Sequence, residues 1–335
     1  MLTRLLLFFV FAVFSSSFLR GDELLAGVGK MDITRPGEDA GDNPPLVKAL
    51  VLSQGEINVV IITVDAVAIA EIGSIRDPYL AEVRSQLAAF AKIEESSVIV
   101  NVSHCHALVA DDIVARTVEA VRIAWGKRVP VKAGAGIGQE DSIIENRRLH
   151  LKNGKEADVR HAYALPPDAE IAAVGPIDSR IGLLRFDRVD NGQPLALVYQ
   201  FACHPIQGIP SGGNTADLTG FASKVIEENL GDSSAMAFFL QGCGGDINPV
   251  LYKSPTLPRD GEIHGTKLGL SALAGARTIK TSAEVPLVMQ REILTLPRAD
   301  HGPRIAEMEA EIDALADSLK GTKLNFETFL PLYVK

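Results

Sequence analysis

The stretch Ser96–Gly126, SSVIVNVSHCHALVADDIVARTVEAVRIAWG, decides the fold. It opens with an apolar, β-branched run that reads as a buried strand ending at His104. From Asp111 onward the apolar residues recur at helical spacing. Asp111 or Asp112 is placed to cap that helix and Gly126 to end it. A strand feeding a helix through a short connector is the unit of an α/β protein. Here the connector holds two imidazoles, His104 and His106. Side chains of an extended segment alternate faces, so these two share one side and Cys105 points away. Such a pair can give two ligands to one metal, or one ligand beside a base. The competing reading, a satisfied core histidine, applies to any single histidine after an apolar run, and H-x-H is a short motif.

Upstream, VKALVLSQ and NVVIITVDAV flank Gly55 and read as a hairpin, and PYLAEVRSQLAAFAK has helical spacing with Pro78 near its first turn. Downstream, VPVKAGAGIG leads into a polar, loop-rich region from about 139 to 179. IGLLRFDRVDNGQPLALVYQFACHP reads as a second hairpin, turned at Asn191-Gly192. DLTGFASKVIEENLG and EIHGTKLGLSALAGARTI read as helices. AMAFFLQGCGGDINP reads as a buried strand entering a glycine loop, and EVPLVMQREILTL as a strand. In the tail, Ile305, Met308, Ile312, Leu315 and Leu319 share one face, which predicts a packed helix. The alternation predicts an α/β fold. Its two hairpins make the sheets mixed, layered with helices, and the site lies at strand ends. No internal repeat, low-complexity segment or linker stands out.

The chain has 335 residues, 47% hydrophobic and 22% charged, which is a globular composition. Its net charge is -9 and no Lys/Arg run occurs, so nucleic acid is not an expected partner. At the start, Arg4 precedes LLLFFVFAVF and then SSS, the proportions of an export signal. Residues 1–21 are therefore expected to be a signal peptide, cut after Ser17 or near Gly21, and 22–335 the exported domain. Three cysteines are too few for a disulfide scaffold. Cys105, Cys203 and Cys243 read as small buried hydrophobes, in three segments that converge on one place.

His204 ends the strand-like run LVYQFACHP, before Pro205, which puts it on a sheet rim where ligands gather. Two histidine-bearing strand ends favour a metal site. In QGCGGDINP, Gly242, Gly244 and Gly245 allow close approach and positive φ, and their N–H groups could form an anion nest. Asp246 could orient a histidine. Arg147, in ENRRLH, could stabilise an oxyanion, the alternative being a solvated Arg147–Arg148 pair. GAGIGQ lacks the spacing of a dinucleotide loop, and no G-x-S-x-G occurs.

Together these segments resemble the neutral/alkaline, non-lysosomal ceramidase family. AGVGKMDIT is similar to its G-x-(G/A)-x-x-D-I-T opening, SHCHA to T-H-T-H-S, and ENRR to an N-R pair. FACHP is similar to F-A-x-H-P, NTADLTG to S-A-D-F-P-G, and GCGGDINP to G-D-V-S-P. The order is the same, from Ala26 to Pro249. The resemblance implies an exported, zinc-dependent amidohydrolase that cleaves an N-acyl bond of a sphingolipid-like substrate and meets membrane through that substrate. It implies His104 and His204 as zinc ligands, His106 as base or transition-state partner, and Arg147 as a substrate or oxyanion contact. Zinc would acidify a bound water and polarise the amide carbonyl. Two departures matter. Asn248 stands where the family has a serine, which excludes a serine nucleophile there. The family also supplies Glu and Tyr ligands and an immunoglobulin-like domain further on. No matching segments precede Lys335, so the catalytic domain is expected to be C-terminally incomplete and weakly active. The alternatives are a truncated, non-catalytic lipid- or partner-binding member, or another metal hydrolase. Barrel amidohydrolases carry H-x-H on the first strand, whereas here two β-runs and a helix precede it.

Overall fold

The computed structural model describes residues 22–70, 72–158, 166–207, 214–250 and 261–320. The expected signal peptide lies outside them. Strands β1 (Leu25–Asp32), β2 (Leu46–Gln54) and β3 (Ile57–Val64) run antiparallel, and Gly55 turns the second hairpin at φ 57°. Helix α1 (Tyr79–Ala91) then crosses over to β4 (Val98–Val102), which pairs parallel to β3. Helix α2 (Ile113–Gly126) follows and packs on β1 and β2.

Strand β5 (Val129–Gln139) starts a second set. An insertion comes next, with β6 (Ile144–Asn146), β7 (Arg148–Leu151), β8 (Glu156–Asp158) and β9 (Ile171–Val174). Strands β10 (Arg180–Arg188) and β11 (Pro194–Phe201) then continue antiparallel from β5. Helix α3 (Asp217–Asn229) crosses over to β12 (Met236–Gln241), parallel to β11. After the short β13 (Ile247–Pro249), which pairs with β6, helix α4 (Gly261–Ala276) packs on β5 and β10.

The eight main strands form one sheet, ordered β12-β11-β10-β5-β1-β2-β3-β4. In the strand ladder its halves join where Leu25 and Ala26 meet Pro130 and Val129. At that seam it folds over, and Leu50 and Leu52 of one half pack with Leu195, Val198 and Phe238 of the other. Helices α1 and α2 cover the outer face of the first half, and α3 and α4 that of the second. The result is four layers, helix–sheet–sheet–helix. The outermost strands, β4 and β12, approach each other, and Gln241 N–H donates to Asn101 Oδ1 at 2.9 Å.

The two halves have one topology: three antiparallel strands, a crossover helix, a parallel fourth strand and a returning helix. This is an internal repeat that the sequence reading did not find. The equivalence reaches single bonds. Ser103 N–H donates to Val64 O, and Gly242 N–H to Phe201 O, each at 2.9 Å just beyond the fourth strand. Glycines repeat it too. A Cβ on Gly27 or Gly29 of β1 would lie 2.1 or 2.2 Å from the carbonyl oxygens of Ala124 and Ala120 in α2. On β5, one on Gly134 or Gly136 would lie 2.5 Å from Lys280 O or 2.6 Å from Ile279 Cγ1. In each half the first strand is bared so that the chain of the returning helix can lie against it.

The mixed, helix-layered α/β class, both hairpins and the first four helices stand as read. Other expectations change. Strand β4 is an edge, with Val98 buried, Ile99 exposed and the rest between, because nothing pairs on its far side in the ladder. Asp112 occupies the N-cap position of α2 but makes no side-chain cap. It accepts from Arg116 Nε at 2.7 Å instead. The loop-rich region holds β6 to β9, the last three forming a small sheet. EVPLVMQREILTL joins no ladder. Gln54 holds its backbone at two points, accepting from Leu287 N–H at 2.6 Å and donating to Val285 O at 3.2 Å. Helix α5 (Gly302–Leu319) is not packed: Ile305, Met308, Ile312 and Leu315 are exposed. Among the described residues no helix is long and apolar enough to cross a membrane.

Candidate metal centre

Beyond β4 the chain leaves the ladder, and His104 takes a left-handed φ of 64°. That turn, rather than strand alternation, puts His104 and His106 together while Cys105 enters the core. His204 arrives from the end of β11, its backbone N–H held by Ile247 O at 2.8 Å. The His104 and His204 ring centroids lie 4.5 Å apart. His106 stands 5.6 Å from the first and 6.0 Å from the second. One ligand atom from each falls within 4.8 Å of the others.

His104 Nδ1 lies 2.7 Å from Val67 O. A carbonyl only accepts, so Nδ1 donates, and Nε2 is the ring nitrogen left to face a ligand. His204 Nδ1 is buried with no hydrogen-bond partner. Such an orphan costs about 1–3 kcal/mol unless something satisfies it. Burial pushes the His204 ring down to about 4, helped by His104, Arg147 and His106 and opposed by the Gly244 backbone. Burial and then His104 lower His106 as well. Both rings are therefore neutral near pH 7, the form that ligates. A fixed tautomer, a buried orphan nitrogen and a third imidazole within reach fit a divalent transition-metal ion.

The neighbouring residues divide. Arg147 is 8% exposed, with Nε 3.1 Å from the Asp158 carboxylate and its backbone N–H on Asp246 O at 2.8 Å. It is close enough to His204 to depress that ring, while Arg148 faces solvent, so the two do not form a solvated pair. Asp246 Oδ2 accepts from Asn146 Nδ2 at 3.2 Å, in place of the histidine expected from sequence. Gly244 allows close approach, since a Cβ there would lie 3.0 Å from Cys203 N and C, whereas Gly245 has open space. Gly242, Gly244 and Gly245 are not among the positive-φ glycines. The Gly242 and Gly244 amides donate to Phe201 O and Gly242 O, which leaves no nest of three free N–H groups. Asn248 is wholly buried, and neither Oδ1 nor Nδ2 has a partner. Cys105 and Cys203 are buried, with thiol pKa values pushed up by burial, but Cys243 is exposed.

Sequence reasoning missed three supports. Val67 acts through its carbonyl, which no residue type announces. Gln241 Nε2 donates to Cys203 O at 2.9 Å and Gly242 O at 3.2 Å, a polar residue at the end of an apolar strand. Asn214 lies in a quoted motif but was given no role.

No family model matches the chain, and no curated protein matches it. Solved structures do match it, two of them ceramidases. One is the neutral ceramidase from Pseudomonas aeruginosa, with TM-score 0.60 and 19% identity, over 77% of this chain and 45% of that one. The other is a ceramidase complexed with C2, with TM-score 0.61 and 19% identity, over 77% of this chain and 44% of that one. The chain thus has a neutral ceramidase-like fold and spans less than half the length of the structures it matches.

Proposed function

We propose that this chain is an exported, zinc-dependent hydrolase that cleaves the N-acyl amide of a sphingolipid-like substrate, with 1–21 as leader and 22–335 as catalytic region. The observation that carries the reading is the trio His104, His106 and His204, gathered just beyond the ends of β4 and β11 in a ceramidase-like fold. His104 and His204, the closest pair of rings, would hold the ion. Zinc bound there supplies a Lewis acid that acidifies water and polarises the amide carbonyl. His106, exposed and standing off the other two, is neutral near pH 7 and takes the proton. Arg147 places a buried cation beside His204, suited to the negative charge that develops on the carbonyl oxygen. Asn248 is a poor nucleophile and carries no acyl group.

The test is zinc content and hydrolysis of an N-acyl-sphingosine by the protein without its leader. His104→Ala and His204→Ala should each lose zinc and turnover. His106→Ala should keep zinc and lose turnover; loss of zinc there would make it a ligand instead. Unchanged zinc in both ligand variants would refute the centre. Tight one-to-one zinc without turnover on any N-acyl lipid would favour a binding protein.

A further inference from the structure

The segment that presents His104 and His106 has no regular structure; Cys105 and Ala107 are buried, but the His106 ring between them is exposed, so core packing does not fix that ring. Its upstream hold is the His104–Val67 bond. Downstream, both backbone polar atoms of Leu108 are taken by one side chain. Asn214 Oδ1 accepts from Leu108 N–H at 2.5 Å, and Asn214 Nδ2 donates to Leu108 O at 2.8 Å. The Leu108 side chain is itself 41% exposed, so its burial does not anchor the segment there. Just beyond it, Val109 N–H donates to Ser74 Oγ at 3.2 Å and Ala110 N–H to Ile33 O at 2.8 Å.

Asn214 can serve as an anchor because it is held in turn. It is 6% exposed, and its backbone N–H reaches Asp39 O at 3.3 Å. Two residues on, Ala216 N–H donates to Asn43 O at 2.9 Å, and Asn43 Nδ2 donates to Asp217 O at 2.8 Å as α3 begins. Asn214 belongs to the connection that leaves β11 through His204, and Leu108 to the one that leaves β4 through His104 and His106. One amide therefore ties the two histidine-bearing connections of the repeat together.

We propose that Asn214 is a positioning residue: by holding Leu108 at both backbone atoms, it sets the spacing of His104 and His106 against His204. The inference rests on the metal reading above. Outer partners that orient metal ligands typically contribute about 10- to 100-fold in affinity. Asn214→Ala removes both bonds. Asn214→Asp keeps the size and the acceptor but loses the donor. Ser223→Ala is the control, since it deletes a buried 2.9 Å bond between Ser223 of α3 and Tyr199 of β11 that involves neither Leu108 nor a histidine.

The experiment measures the zinc dissociation constant of the folded protein by chelator competition, and the visible band of its cobalt-loaded form. Asn214→Ala should weaken zinc about ten-fold or more and shift the cobalt band, and Asn214→Asp should do so to a lesser extent. Ser223→Ala should leave both unchanged while lowering stability. Parent-like affinity and band in Asn214→Ala would overturn the proposal and leave the metal reading intact. So would an equal loss in Ser223→Ala. If Asn214→Ala does not fold, a parent-like Asn214→Asp overturns it. A parent that binds no zinc overturns both.

Discussion

His204 concentrates the chemistry in one atom, an Nδ1 that is buried and unpartnered. The same environment makes a prediction about acid. Its ring titrates at about 4 in the fold, below the 6.5 of an unperturbed imidazole. Between those values the unfolded chain binds a proton that the folded chain refuses. Stability contributed by the neutral ring is thus present above pH 6.5 and lost as pH falls toward 4. His106 adds in the same direction. Zinc-free protein should unfold at lower denaturant at pH 5 than at pH 7, and His204→Gln should flatten that slope. An equal midpoint at both pH values in the parent would contradict the sign. At this scale the sequence was legible where a residue type carries chemistry, as in H-x-H and C-H-P. It was not legible where backbone does the work. Nothing in SHCHA signals a left-handed His104, and nothing in TVDAV marks the Val67 carbonyl as a tautomer lock.

Among elements, the hairpins and first helices were legible because Gly55, Asn191-Gly192 and the helical periods act locally. EVPLVMQREILTL fails as a strand because alternation shows only that a segment can pair. The partner here is the Gln54 side chain. The α5 stripe likewise names a face, not what covers it. The glycines of β1 and β5 were visible in the sequence but pointed to no packing role; in the fold they admit the chain of the returning helix. Gly29 provides the test. A methyl there would sit 2.2 Å from Ala120 O, which is helix backbone and cannot swing aside. Gly29→Ala should cost about 3 kcal/mol in a denaturant titration, the upper range for overpacking. Gly126→Ala, with nothing within 4 Å, should change stability by less than about 1 kcal/mol. Similar losses in both would mean that helix α2 does not lie this close to β1.

Across the whole molecule, the folded-over sheet was invisible because its seam pairs residues a hundred or more apart, and the repeat because it lies in strand order and direction rather than in shared residue types. A buried ion pair is among the polar contacts that bridge the halves. Lys48, on β2, reaches across to donate to Glu227 Oε1 of α3 at 2.7 Å and to Ala237 O of β12 at 3.0 Å. The same Glu227 oxygen accepts from Ala237 N–H at 3.0 Å, and Lys30 of β1 lies 3.6 Å from its other oxygen. Burial pushes the Glu227 carboxyl up, but Lys48, Lys30 and the Ala237 amide more than offset it and leave the pKa lowered. Its contribution is therefore complete above the unfolded value of about 4.5 and lost as pH falls through the folded one. Removing one partner of such a pair strands the other, at about 3 kcal/mol or more, whereas neutralising both costs less. Lys48→Met should thus be destabilised by roughly 3 kcal/mol at pH 7, and Lys48→Met/Glu227→Gln should recover most of it, since the glutamine oxygen still accepts from Ala237. Lowering the pH below about 4.5 should narrow the gap between parent and Lys48→Met, as the stranded carboxylate takes up its proton. A double variant no more stable than Lys48→Met at pH 7 would show that the ammonium, not the pair, joins the two halves.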